Sequence, residues 1–467
     1  MIPLEDNSTI IAISSGLKNA AIGVIRISGE NSLDYLSKVF QSKSGKKIKD
    51  SPGYRVYFGK ICDNGEILDE VVVIVYRSPK SYTGEDMVEI FCHGNLILME
   101  KIVNLFINLG CRLAKPGEFT LRAVLNKKID LTQALAIRDL IESPTEQMLK
   151  LSLKNLKGAL SSKINFVREK LLYWLVWIEA SLDFPEEDIP ALNNQELKQD
   201  LENLIEQIKN INSNYEKSKI YRQGIDTVII GKPNVGKSTL FNYLYGQERV
   251  IISEIPGTTR DIISEFININ GIILKLYDTA GFRKTKDQIE KIGIEKAKEI
   301  IKKSQLVLWV LEFLNLDEND LQVYQTIENH QKLIIIINKI DKAKSLTEIE
   351  NFEKLVRNFA KTNLKNEQIQ IVSCSITKNL NLEELKEKIV KICGSIDENT
   401  ILIDEFQYQT LQKIHYFLEK TLKDFHLSTE VIAINLKEAL NSIAELTGEN
   451  ITETVIDNML SRFCIGK

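Results

Sequence analysis

Hydrophobic and polar positions change their period along the chain, and each change marks a different kind of element. Ile10-Ile11-Ala12-Ile13, Ile22-Gly23-Val24-Ile25-Arg26-Ile27 and Val71-Val72-Val73-Ile74-Val75 are short β-branched runs between turn residues and predict strands. Residues 96–109 have helical spacing, so residues 8–120 are expected to form an α+β block. From about Leu131 the period is helical. Leu197, Leu201, Leu204, Ile205, Ile208 and Ile211 recur at intervals of 4, 3, 1, 3 and 3, an apolar stripe that predicts a core-facing helix. Residues 221–380 alternate strand and helix, as a parallel α/β sheet requires. Helical pattern returns from Leu382 to the end, and the acidic run from Asp183 to Asp188 reads as a solvated break between helices. The expected fold class is multidomain α/β. Its parts are an α+β domain over 1–120, a helical domain in two halves (121–218 and 381–467), and an α/β domain over 219–380 inserted between those halves.

Composition narrows this picture in a few places. At 467 residues, 43% of them apolar and 27% charged, the chain exceeds what one core supports and has ordinary globular chemistry. The formal net charge of −4 disfavours a stand-alone nucleic-acid clamp, so any such contact needs a local basic patch or a partner. Six cysteines include no CxxC pair, which argues against a zinc ribbon or a disulfide scaffold. Met1 to Asp6 lacks the basic start of a signal peptide, and the aliphatic run Leu333–Ile337 is too short to span a bilayer. A soluble, reduced, cytoplasmic protein without membrane association is expected.

The candidate chemistry lies in the alternating block. Thr227 to Ile230 reads as a buried strand that runs into Gly231-Lys232-Pro233-Asn234-Val235-Gly236-Lys237-Ser238, the GxxxxGK[ST] phosphate loop. Its glycines let backbone N–H groups surround a phosphate, and the helix that follows offers its positive end. Lys237 would meet the β- and γ-phosphates and the Ser238 hydroxyl would ligate Mg2+, with Val235, Gly236 and Thr239 completing the cradle. Asp278-Thr279-Ala280-Gly281 ends a second strand, where Asp278 would hold magnesium through water and Gly281 would offer an N–H to the γ-phosphate. Leu333–Ile337 runs into Asn338-Lys339-Ile340-Asp341, and the Asp341 carboxylate can accept from guanine N1–H and its exocyclic amine. A site built on that pair rejects adenine, because the buried carboxylate would lose its partners. Ser373-Cys374-Ser375 ends a further strand where a backbone amide is expected at guanine O6, with Cys374 at the usual alanine position. Between them, Glu254-Ile255-Pro256-Gly257-Thr258-Thr259-Arg260-Asp261 reads as an order–disorder switch, with a threonine completing the magnesium shell when GTP is bound.

Asn234, the run from Gly257 to Asp261 and the final Cys464-Ile465-Gly466-Lys467 together resemble the MnmE (TrmE) family of tRNA modification GTPases. Arg26-Ile27-Ser28-Gly29, Tyr82-Thr83-Gly84-Glu85-Asp86, His93-Gly94, Pro116 to Thr120 and Asp130 to Ala134 extend the resemblance across the whole chain. It implies a Ras-like GTPase domain and an N-terminal domain that forms the homodimer and binds a tetrahydrofolate derivative (the 5-formyl or 5,10-methylene form) at Arg26, Glu89 and Lys128. It implies a heterotetramer with the flavoprotein MnmG, acting on C5 of the wobble uridine of certain tRNAs to give aminomethyl- or carboxymethylaminomethyl-uridine. It also implies K+-stimulated hydrolysis, with K+ held by Asn234, Ser253, Ile255 and Thr258 and Mg2+ by Ser238 and Thr259. Ras-like switches follow the DxxG motif with a glutamine, whereas this chain has Phe282, and Glu290 matches the family's water-orienting glutamate. Cys464 is expected to face the folate pocket across the dimer, with a role in modification. The first turn departs from the family's Pro-Gly-rich loop, reading Ser14-Ser15-Gly16-Leu17-Lys18-Asn19-Ala20-Ala21. A regulatory GTPase that binds RNA or ribosomes as a switch is the alternative, disfavoured because no usual RNA-binding signature follows residue 380. An ATP-dependent P-loop kinase conflicts with Asp341.

Overall fold

The computed structural model describes residues 8–183, 193–246, 264–277, 299–317, 320, 326–363, 369–397, 399–450 and 466. The chain divides into two compact units, Met1–Arg138 with Asn155–Ile208 and Gln409–Lys467, and Asp139–Lys154 with Lys209–Tyr408.

The first unit begins with β1 (Ile10–Ile13), β2 (Ile22–Ser28), α1 (Ser32–Val39), β3 (Phe40–Ser42), β4 (Arg55–Asp63), β5 (Glu66–Tyr76), β6 (Met87–His93), α2 (Leu96–Asn108), β7 (Arg112–Leu113) and α3 (Glu118–Leu125). The strands form one sheet in the order β3-β4-β5-β6-β2-β1-β7, antiparallel except for the β1–β7 pair. Alternation decides its faces. Ile25, Ile27, Val73, Val75, Val88 and Ile90 are buried in one core with Leu33 and Leu36 of α1 and Met99, Ile102 and Phe106 of α2. The residues between them, Val24, Arg26, Val72, Ile74, Glu89 and Phe91, remain half-buried on the other face.

Helices then follow: α4 (Leu131–Glu142), α5 (Glu146–Leu156), α6 (Ala159–Asp183), α7 (Asn194–Asn212) and α8 (Tyr215–Gln223). The α7 stripe is buried at Leu197, Leu201, Leu204, Ile208 and Ile211. Near the end of the chain come α12 (Glu405–Lys423) and α13 (Thr429–Thr447), and α6 packs against α13. Lys437–Glu179 (2.6 Å) and Arg168–Glu449 (2.8 Å) close that helix pair at its polar margin.

The second unit is a six-stranded sheet of β8 (Ile225–Ile230), β9 (Ser264–Ile269), β10 (Ile272–Tyr277), β11 (Leu306–Glu312), β12 (Lys332–Asn338) and β13 (Ile369–Ser373). Its order is β13-β12-β11-β8-β10-β9, parallel throughout except for the edge strand β9. Helices α9 (Lys237–Tyr245), α10 (Leu346–Asn363) and α11 (Leu382–Cys393) complete the unit. Both faces are covered, so the strands are apolar at successive positions. Ile229, Leu308, Val310, Ile334 and Ile336 pack toward Leu240 of α9 and Leu385 of α11. Val228, Val307, Trp309, Leu333 and Ile335 pack toward Phe352 and Val356 of α10.

Leu308→Ala, at the centre of β11, should destabilise the second unit by roughly 2–5 kcal/mol. Amide hydrogen exchange should show faster opening of β8, β11 and β12 while protection of β2, β5 and β6 is unchanged.

Candidate nucleotide site

The phosphate loop is the turn between β8 and α9, and local sterics account for its glycines. Gly231 has φ +144° and a Cβ there would lie 2.3 Å from the Val310 carbonyl oxygen. Gly236 has φ +110° and a Cβ would lie 2.3 Å from Asn338 Nδ2. Either position needs glycine both for its backbone and for its space. Asn234 also adopts the left-handed region, at φ 63°, which asparagine tolerates better than most side chains.

Two lysines leave this loop in different ways. Lys237 Nζ donates to the Lys232 carbonyl at 2.5 Å, folding its ammonium back over the loop. Lys232 Nζ turns the other way, to Asp320 at 2.8 Å and Asp317 at 2.9 Å. Burial lowers the Lys232 pKa, but the two carboxylates outweigh burial and hold it above the usual lysine value. Ser238 and Thr239 are exposed on the first turn of α9.

The Asn338–Asp341 turn is tied directly to this loop. Asn338, at the end of β12, donates from Nδ2 to the Val235 carbonyl at 2.8 Å. Its Oδ1 accepts from the Ile376 amide at 3.2 Å. Lys339 Nζ donates to the Asn234 carbonyl (2.9 Å) and to Glu312 (3.0 Å). Lys342 reaches the same Glu312 oxygen at 2.7 Å, and these bonds, that from Lys342 first, hold the Glu312 carboxyl below its usual range. Asp341 lies in the 3-10 turn Ile340–Lys342 and accepts from Ser375 Oγ at 2.5 Å.

The sequence expectation for Cys374 requires correction. Its amide donates to the Ile337 carbonyl at 2.8 Å, continuing the β12–β13 ladder, and so is not available to a base. Its thiol is fully buried, and burial, with a further contribution from Glu384, pushes it up to about 12. Ser373 is likewise structural: its hydroxyl donates to Glu353 at 2.5 Å and its carbonyl accepts from Asn381 at 3.0 Å. The groups that turn toward Asp341 and Asn338 are the Ser375 hydroxyl and the Ile376 amide. Ile376 was missed because the run Ile371-Val372-Ser373-Cys374 contains nothing that shows where pairing stops.

Ser253, Glu254, Ile255, Pro256, Gly257, Thr258, Thr259, Asp278, Thr279, Ala280, Gly281, Glu290 and Cys464 lie outside the described residues. In the first unit, Arg26 and Glu89 face each other across β2 and β6, joined at 2.7 and 3.0 Å. Tyr76 donates to the other Glu89 oxygen at 3.1 Å, and burial, followed by Glu89, pushes the Tyr76 phenol up to about 12. The Arg26 guanidinium also lies over the rings of Tyr82 (5.0 Å) and Phe119 (5.6 Å). Lys128 is engaged elsewhere, donating to the Pro79 carbonyl at 2.8 Å. Gly466, two residues beyond Cys464, is seated against β1 of its own chain: its carbonyl accepts from Ser14 Oγ at 3.0 Å. Ser14, in the first turn, thus binds Gly466.

A parallel sheet with a glycine-shaped phosphate loop, an Asn-Lys-x-Asp turn and a serine on its aspartate is the nucleotide unit of a GTP-binding P-loop hydrolase. The chain belongs to the MnmE family of tRNA modification GTPases. The family model described as the MnmE helical domain matches residues 131–464, and that of the GTP-binding protein TrmE N-terminus matches residues 9–128. The tRNA modification GTPase MnmE of Carboxydothermus hydrogenoformans is 39% identical, over 99% of this chain and 100% of its own. That of Aquifex aeolicus is 41% identical, over 98% of this chain and 99% of its own. Among the described residues no helix is long and apolar enough to cross a membrane.

Ser375→Ala should weaken GTP and GDP binding about tenfold, since a hydrogen bond to a carboxylate is lost. Cys374→Ala should leave both affinities unchanged, and fluorescent nucleotide titration reads the difference. In the folded chain the Cys374 thiol, protonated up to about pH 12, should resist iodoacetamide at pH 8 and become alkylated only on unfolding.

Proposed function

We propose that this GTPase couples hydrolysis to modification of C5 of the wobble uridine of certain tRNAs, together with the flavoprotein MnmG. The observation that carries the nucleotide part is the Asn338 carboxamide, which joins the phosphate loop at Val235 to the loop at Ile376. Asp341, oriented by Ser375, accepts from guanine, while Lys237 and the α9 amides meet the phosphates. Ser238 suits Mg2+: its hydroxyl is exposed on the first turn of α9 and has no partner among the described residues. Asn234 suits K+: it is exposed at a left-handed turn and its side chain has no hydrogen bond among the described residues. Ser253, Ile255 and Thr258 would complete the K+ site, Thr259 the Mg2+ shell, and Glu290 would orient the attacking water. A cation there offsets charge that develops in the transition state.

Residues of the first unit favour a folate ligand in part. Arg26 and Glu89 form a half-buried, aromatic-flanked pair whose polar edges suit a planar heterocycle with a carboxylate tail. Lys128 adds a cation on the chain segment that meets Pro79. Bound tetrahydrofolate would supply the one-carbon unit. The half-buried apolar sheet face of Val24, Val72, Ile74 and Phe91 supports the homodimer, since a second copy would cover it. Cys464 would act in modification rather than in GTP hydrolysis.

GTP turnover by the purified chain should be much faster in K+ than in Na+ at equal ionic strength. Glu290→Ala should lose that turnover while still binding nucleotide; equal slow rates in both salts would remove the K+ mechanism. Asp341→Asn should shift preference from GTP toward xanthosine triphosphate, measured as the ratio of kcat/KM values. A variant that still strongly prefers GTP would refute the role given to Asp341.

A further inference from the structure

Cations are not spread evenly over this chain. Its whole length carries 60 lysines and arginines against 64 acids, yet between Lys38 and Lys60 there are seven such cations and one acid, Asp50. The fold gathers these residues at one edge of the N-terminal sheet, around β3, β4 and the loop joining them. Lys43, Lys46, Lys47 and Arg55 line an open groove of about 980 Å3 there, with Phe58 as its exposed aromatic wall. Lys43 lies 5.4 Å from the Phe58 ring centroid. None of the four cations is paired with an acid among the described residues, whereas neighbouring Lys49 and Lys60 are paired with Asp34 and Glu70. Asp50 is the acid on the groove's rim.

The groove is held in shape from beneath. Arg77, itself bound to Asp86 at 2.6 Å, donates to the Ser51 carbonyl at 3.0 Å and to the Lys49 carbonyl. Tyr57 Oη donates to Ser51 Oγ at 3.0 Å. Gly53, at φ +81°, leaves room for the Arg77 stem that makes this anchor, since a Cβ would lie 3.1 Å from Arg77 Cγ. Four cations without an acid partner, three on an anchored loop and one at the start of β4, match with the exposed ring a phosphate backbone and an unstacked base.

We propose that this groove is where the chain holds its RNA: a single-stranded or looped part of the tRNA, with phosphates on Lys43, Lys46, Lys47 and Arg55 and a base against Phe58. The inference rests on the reading that this family member acts on tRNA, and it locates within an acidic chain the basic patch that such binding requires.

The test is tRNA binding by the full chain, followed by fluorescence anisotropy from low to physiological salt. Changing Lys43, Lys46, Lys47 and Arg55 together to Gln should weaken binding at least about tenfold near physiological salt. It should also reduce the slope of log affinity against log salt by about three, because each phosphate contact on a single strand contributes about 0.7. Phe58→Ala should weaken binding about tenfold with the slope preserved. Lys354→Gln with Lys361→Gln, on exposed α10 positions, should change nothing, and GTP turnover should be unaltered in every variant, which checks folding. If the unaltered chain binds tRNA and the fourfold variant binds it equally with the same slope, the groove is wrong and the tRNA reading stands. If the unaltered chain binds no tRNA even at low salt, both fail. If the fourfold variant loses self-association by sedimentation, the groove is an interface between copies. If vesicles containing phosphatidylserine bind there and tRNA does not, it is a lipid surface; either result overturns the proposal.

Discussion

A planar side-chain amide has one acceptor and two donors at a fixed separation, and the second unit places such a group where three loops meet. Asn338 donates to the phosphate loop at Val235 and accepts from the Ile376 amide, while its own backbone ends the fully buried strand β12. The spacing between the β8–α9 loop and the turn that ends β12 is therefore set in part by one carboxamide at the end of a strand. Gly236 follows from this, because any Cβ would occupy the space of Asn338 Nδ2. The Lys339 bond to the Asn234 carbonyl repeats the tie one residue along in both loops, so the two loops are joined in register.

Charge in the site is arranged around that tie. Three lysines of these loops are held by acids: Lys232 by Asp317 and Asp320, and Lys339 and Lys342 by Glu312. Lys237 Nζ donates to the Lys232 carbonyl of its own loop. Three cations of these loops are thus neutralised by carboxylates of the same unit.

What was legible in the sequence follows from how each element is buried. β8, β11 and β12 are apolar at successive positions because both faces of their sheet are covered, and Ile335 and Ile336 point to opposite cores. The ends of β8 and β12 were therefore plain, and so were the motifs that follow them, whereas β11 is not followed by a motif and was read only as part of the alternating block. In the N-terminal sheet, β4 was not recognised: Val56 and Phe58 are exposed, and Tyr57 and Ile61 provide too little contrast over so short a span. The Cys374 misplacement has a different origin. Burial and composition cannot distinguish the last ladder residue from the first loop residue, and only the Cys374-to-Ile337 hydrogen bond separates them. The Arg26–Glu89 pairing was equally invisible, because it depends on the register of β2 against β6 and not on any local pattern.

The two sheets also explain why different kinds of chemistry belong to different parts of the chain. A parallel sheet covered by helices on both sides has no free face, so its polar groups can only collect beyond the carboxyl ends of its strands. Asn338 is such an end, and Gly231 and Ser375 follow two others. The antiparallel sheet covers one face with α1 and α2 and leaves the other half-open, so polar side chains can gather on the strands themselves. Arg26, Tyr76 and Glu89 can form one network there because alternate residues of β2, β5 and β6 project to the same side. Loops that close the first kind of site can rearrange as nucleotide changes. A strand-borne cluster is held by ladder hydrogen bonds on either side, so its geometry is set by the register of three strands rather than by a loop.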